Sequence, residues 1–123
     1  MGTITGGTKT KSGKDRVVPI HPKIRGIVEV RLKGSGDFLF SYNDHKCHDT
    51  TYRALWGTVM QTADLQHTPH DCRHTFRSRL DSAGANKRCI DLMMGHKSID
   101  VGERVYTHKT LDELKAAIEL VTD

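Results

Sequence analysis

Apolar positions along this chain follow two different patterns. Near the N-terminus they form short β-branched runs; afterwards they recur three and four residues apart. Thr3 to Gly7 and Arg16 to Ile20 read as two strands, the second built on Val17, Val18 and Ile20, with Pro19 suited to a strand end. The Ser-Gly pair in TKTKSGK is a turn signal between them, so the two runs predict a hairpin. Pro22 to Lys33 then reads as a helix, with Ile24, Ile27, Val28 and Leu32 at helical spacing, ended by Gly34-Ser35-Gly36. Phe38-Leu39-Phe40 is a strand or a buried extended segment, and Ser41 to Cys47 is a loop. Asp49 to Ala63 is a second helix whose Tyr52, Leu55, Trp56, Val59 and Met60 are expected to face inward.

The C-terminal half is predicted to be wholly helical. Thr68 is an N-cap ahead of Pro69, and the helix from Pro69 to Ala83 carries Cys72, Phe76, Leu80 and Ala83 as a packing face. Gly84 closes it. Asn86 caps the next helix, with Cys89, Ile90 and Met93 on its apolar stripe, and Gly95 fits a left-handed helix end. Ser98 caps a short helix to Val105, and Leu111 to Val121 is a last amphipathic helix on Leu114, Ile118 and Val121. The fold class is therefore α+β and mainly helical: an N-terminal β-hairpin packed on a helical bundle.

Composition narrows the compartment and the partner. A chain of 123 residues makes one domain with a real core. It has no long apolar run for a membrane span and no basic-then-apolar secretory signal at MGTITGG. Cysteines at 47, 72 and 89 are odd in number and scattered, which argues against a disulfide framework and for a reducing, cytoplasmic setting. The net charge of +4 is unevenly placed: residues 1–35 hold eight Lys/Arg against two acids, a balance of +6. Such a basic front half is either a solvated face or a surface for a phosphate backbone.

Candidate chemistry decides between these. The densest stretch, His70 to Tyr106, opens with HDCRHT, passes Met94-Gly95-His96 and ends on Tyr106. On a helix, His70, Arg73, His74 and Arg77 share one face, a stripe of imidazole and guanidinium donors suited to binding a phosphate. These three ordered boxes resemble the catalytic domain of the tyrosine recombinases, the phage-type integrases. That family carries H-x-x-R-H-T, then Leu-Gly-His, then a tyrosine nine or ten residues beyond that histidine; here the interval is ten. With the hairpin, the resemblance covers nearly the whole chain.

The resemblance implies the fold of the DNA breaking-rejoining catalytic core and a set of roles. Tyr106 would be the nucleophile, leaving a 3′-phosphotyrosyl ester that keeps the bond energy without ATP, metal or other cofactor. Arg73 would bind the nonbridging phosphate oxygens, and His70 and His96 would hydrogen-bond the same phosphate. His70 would also assist proton removal from the tyrosine. The family's catalytic lysine sits on a hairpin, matched by Lys9-Thr10, so Lys9 would protonate the leaving 5′ oxygen; Lys11 and Lys14 stay as competitors. Lys11, Lys14, Arg16, His74 and Arg77 are expected to contact DNA, with His74 also read as a structural hydrogen-bonder. The implied partners are double-stranded DNA and further copies of the protein in a tetrameric synapse, in the cytoplasm of a bacterium or a phage host.

Three departures qualify the match. The family's first arginine lies upstream of the lysine hairpin, and no residue here takes that role, so residues 1–123 are expected to be the C-terminal part of a longer integrase, lacking the upstream segment and the N-terminal DNA-binding domains, and to be folded but nearly inactive alone. Met94 stands for the usual leucine and Gly102 for a common threonine. Two other functions compete. A DNA-binding fragment without catalysis predicts salt-sensitive binding and no covalent adduct. A zinc-dependent hydrolase would draw on His67, His70, Cys72 and His74, but Asp71 stands where that metalloprotease pattern needs glutamate, and Tyr106 is left unexplained.

Overall fold

A computed structural model describes residues 2–6, 16–34, 36–96 and 108–122 of the chain. The elements run β1 (Thr3–Gly6), β2 (Arg16–Pro19), α1 (Pro22–Gly34), β3 (Ser41–Tyr42), β4 (His45–Lys46), α2 (Asp49–Ala63), α3 (Pro69–Ser82), α4 (Lys87–Met94) and α5 (His108–Glu119). The described chain is mainly helical with two small antiparallel sheets, β1-β2 and β3-β4. It divides into two compact units, residues 23–74 and the remainder, with the division falling inside α3 after His74.

The unit formed by residues 1–22 and 75–123 holds the core. β1 and β2 pair from Thr3 opposite Pro19 to Gly6 opposite Arg16. Pro19 closes the ladder, where its missing N–H leaves no gap. Leu80 of α3, Cys89, Ile90, Met93 and Met94 of α4, and Leu114, Ala117 and Ile118 of α5 form one buried cluster, edged by Val18, Phe76, Ala85, Leu92 and Val121. Leu80 and Leu114 are completely buried. Each such side chain stabilises the fold by about 1.5–3 kcal/mol through area removed from water. The positions 114, 117 and 118 are one helical stripe, so the apolar face expected on the last helix packs inside its own unit. His21 Nε2 donates to the Val121 carbonyl at 3.0 Å, tying the segment before α1 to the tail after α5.

The unit of residues 23–74 is looser. Its α2 has the predicted bounds, but neither α1 nor α2 contributes a buried residue. Tyr52, Leu55 and Val59, expected to face inward, are exposed, as are Ile24, Ile27 and Leu32. Helical periodicity marks which face is apolar; it does not supply the layer that would cover it. Phe38-Leu39-Phe40 forms no strand. The sheet lies just beyond, where Asn43 and Asp44 take positive φ of 50° and 62° and make a two-residue hairpin between β3 and β4 in the stretch expected to be loop. On α3 the predicted packing face is half right: Phe76 and Leu80 meet the core, whereas Cys72 and Ala83 are exposed. Cys72 lies two turns before Leu80 and Ala83 follows the last helical residue, so neither reaches the cluster that α4 and α5 build around Leu80.

Candidate functional site

The entry to α3 is fixed by polar contacts. The Thr68 backbone N–H donates to Asp71 Oδ2 at 2.7 Å, and the Asp71 N–H donates back to the Thr68 hydroxyl at 3.3 Å. This reciprocal cap satisfies donors that the first helical turn leaves open. Pro69 follows the cap at the position where a missing N–H costs nothing. One residue earlier, the indole N–H of Trp56 donates to the His67 carbonyl at 2.7 Å, anchoring the linker to α2. His67 Nδ1 stands 3.7 Å from Asp71 Oδ2. The Thr68 backbone N–H, then the Thr68 hydroxyl and the His67 imidazole, hold the Asp71 carboxyl below its ordinary pKa against a smaller opposing effect of desolvation.

Behind this cap come His70, Arg73 and His74. The His70 and His74 rings meet edge to face, with centroids 4.6 Å apart and planes at 88°. Both histidines are exposed and Arg73 is half-buried. His74 is exposed, and its ring lies against that of His70. The first two turns of α3 thus carry imidazole and guanidinium groups near a helix N-terminus, a setting that favours an anion.

In the other unit, His96 is placed by the end of α4. Asn86 caps the start of that helix, its side-chain oxygen accepting the Arg88 N–H at 2.9 Å. At the far end Gly95 adopts φ 69° and ψ 29°. The His96 N–H bonds to the Asp91 carbonyl at 3.0 Å and the Gly95 N–H to the Leu92 carbonyl at 3.3 Å. This is the double closure by which a glycine in the left-handed region stops a helix, as expected at Gly95. The His96 side chain is 38% exposed; its Nδ1 lies 3.9 Å from Asp91 Oδ1 and 3.5 Å from Arg77 Nη1.

Arg16 is half-buried in β2, opposite Gly6. Lys9, Lys11, Lys14 and Tyr106 lie outside the described residues, as does the helix expected from Ser98 to Val105. No group of three or more His, Cys, Asp or Glu side chains is placed to hold a metal ion among the described residues, so His67, His70, Cys72 and His74 are not gathered into a zinc site. No helix among these residues is long and apolar enough to cross a membrane. Sequence reasoning missed the Asp71 cap, the Trp56 anchor and the Arg77–His96 pair. Only the first had a local signal, the T-x-x-D spacing of Thr68 and Asp71; the others join residues 11 and 19 positions apart.

Known proteins bear on the same segments. The chain is 34% identical to the tyrosine recombinase XerC of Pelobacter propionicus over 85% of its own length and 37% of the relative's. It is 32% identical to the tyrosine recombinase XerA of Thermococcus kodakarensis, over 89% of this chain and 41% of that one. The tyrosine recombinase XerD of Lacticaseibacillus casei is 29% identical over 86% of this chain and 40% of its own. The chain therefore spans well under half the length of these relatives. No solved structure matches it significantly. The Phage integrase family model matches residues 1–113, through the hairpin, the HDCRHT box, the Gly-His box and Tyr106, and the chain belongs to that family.

Proposed function

We propose that this chain carries the strand-cleaving and rejoining chemistry of a site-specific tyrosine recombinase, on the fold of the DNA breaking-rejoining core. The observation that carries the reading is the order His70-x-x-Arg73, Gly95-His96, Tyr106 within a family match of residues 1–113. The polar caps that fix the two histidine-bearing segments support it, since a phosphate site depends on donors held in place before the substrate arrives.

The Tyr106 oxygen attacks phosphorus, the bond from phosphorus to the 5′ oxygen breaks, and the enzyme is left on the 3′ phosphate. The tyrosine proton passes to His70, and Lys9 supplies the proton taken up by the departing 5′ oxygen. Arg73 meets the charge gathering on the nonbridging oxygens with its planar pair of donors and never deprotonates; His96 adds a further donor. Rejoining is the reverse attack by a 5′ hydroxyl. Lys11, Lys14, Arg16, His74 and Arg77 hold the DNA backbone. Copies of the protein assemble as a tetramer on two DNA sites, in the cytoplasm.

The test is covalent capture. With a nicked suicide substrate, these residues set within a recombinase of the relatives' full length should form a DNA adduct that survives denaturation, and Tyr106→Phe there should bind the same DNA and form none; residues 1–123 alone should cleave almost nothing. An adduct from Tyr106→Phe at the unsubstituted level overturns the nucleophile. Salt-sensitive binding with no adduct from that longer unsubstituted protein would leave a DNA-binding module without catalysis.

A further inference from the structure

His96 Nδ1 has two neighbours with opposite demands. Arg77 Nη1, at 3.5 Å, belongs to a guanidinium and can only donate. Asp91 Oδ1, at 3.9 Å, belongs to a carboxylate and, when ionised, can only accept. One ring nitrogen cannot satisfy both. If it faces the arginine it presents a lone pair, and the proton of the neutral ring sits on Nε2. If it faces the aspartate it carries the proton, and Nε2 is left as a lone pair.

We propose that Arg77 is a positioning residue that selects the Nε2–H tautomer of His96, with Asp91 as the competing partner. The hydrogen-bonded closure at Gly95 fixes the backbone of His96, so what remains to be set is the ring and its proton. Arg77 is closer to Nδ1 than Asp91 is, at 3.5 Å against 3.9 Å. The choice matters because a phosphate oxygen accepts and does not donate. With Nδ1 turned toward Arg77 and Asp91, a neutral ring can bond it only through Nε2–H, whereas a lone pair at Nε2 would repel it. That consequence rests on the recombinase reading; the tautomer itself does not.

The experiment separates the two. In protein labelled with nitrogen-15 at histidine, two-bond proton–nitrogen spectra report which ring nitrogen of His96 is protonated, in the absence of DNA and at a pH where the ring is neutral. The unsubstituted protein should show the Nε2–H form. Arg77→Met should raise the Nδ1–H population roughly tenfold, a bias of the size one such hydrogen bond supplies. Adding Asp91→Asn should remove that shift, and Asp91→Asn alone should keep Nε2–H. Because Arg77 and Asp91 are not in the buried cluster, these variants test the ring without emptying the core. An unchanged tautomer in Arg77→Met overturns the proposal, and weaker DNA binding alongside it would make Arg77 a simple backbone contact. In the cleavage assay at saturating DNA, Arg77→Met should slow adduct formation and the added Asp91→Asn should restore part of the rate; a lost affinity with an unchanged saturated rate counts against positioning. A tautomer shift beside a recombinase of the relatives' full length that carries these residues and never forms an adduct would keep the Arg77 assignment and overturn the recombinase reading.

Discussion

Asp71 and Thr68 cap each other: the carboxylate takes the threonine's backbone N–H while the threonine hydroxyl takes the aspartate's. His70 lies inside that closed turn and Arg73 follows it, so a local hydrogen-bond exchange fixes the frame of two phosphate-site candidates.

This relationship makes the helix entry sensitive to acid. The folded pKa of Asp71 lies below its ordinary value of 3.8, because the Thr68 N–H favours the ionised carboxylate. A group with a lowered folded pKa adds stability that is complete above the unfolded value and is lost as pH falls through the folded one. Asp71→Asn should therefore be less stable than the unsubstituted chain at neutral pH, with the gap closing in acid below pH 3.8. Urea unfolding across pH measures it; a gap that stays constant into strong acid would show that the charge plays no part.

Removing the centre of the core should be costly. Leu80→Ala empties a completely buried position among residues of α4 and α5 and should lower unfolding stability by about 2–5 kcal/mol. Ala83→Ser, at an exposed position, should shift it by less than about 0.5 kcal/mol. Denaturant midpoints compare the two.

Backbone conformation sets the cost at Gly95. Its φ of 69° lies where a Cβ is strained, so Gly95→Ala should destabilise by about 1–2 kcal/mol, and Gly95→Asn by less. Thermal unfolding of the two variants ranks them; equal midpoints would contradict the left-handed closure.

The thiols should separate by reactivity. Burial, helped by the Glu113 carboxylate and opposed by Arg88, pushes the Cys89 thiol above its ordinary pKa, while Cys72 is exposed. A disulfide reagent at neutral pH should label Cys72 in the native protein and reach Cys89 only on unfolding. Mass mapping of the labelled peptides decides it.

The general acid is open to a chemical test. A DNA with sulfur in place of the bridging 5′ oxygen releases a thiolate that needs no proton. Within a recombinase of the relatives' full length, Lys9→Ala should cleave ordinary DNA at least roughly 10²-fold slower and the sulfur substrate near the unsubstituted rate. If that rescue belongs to Lys11→Ala, the role moves to Lys11; if neither variant is rescued, the hairpin lysines hold the DNA backbone.

What the sequence reveals here follows the range of the physics. Asn86 and Gly95 punctuate α4 through interactions spanning a few residues, and both ends fall where those residues predict. The start of α2 has no side-chain cap at His48, and its end uses Asp64 in the left-handed region at φ 53°, a place where glycine is the usual signal. The Asn43-Asp44 turn was hidden because each flanking strand is two residues long, too short for an alternating pattern. Apolar spacing located Tyr52, Leu55 and Val59 on a common face but could not say that they stay exposed in their unit. For the candidate site, residue types and order announced His70, Arg73 and His96. The contest of Arg77 and Asp91 over one nitrogen depends on distances between segments that no local pattern encodes.

The two closures of α4 also act as a ruler. Eight residues lie between a side-chain cap at Asn86 and a left-handed stop at Gly95, with the apolar stripe of Cys89, Ile90, Met93 and Met94 fastened to the core. Inserting one residue would advance everything beyond it by about 1.5 Å and turn it by about 100°. Either the stripe leaves the core or His96 points elsewhere. This stretch can therefore vary its exposed letters, such as Lys87 and Arg88, but not their number.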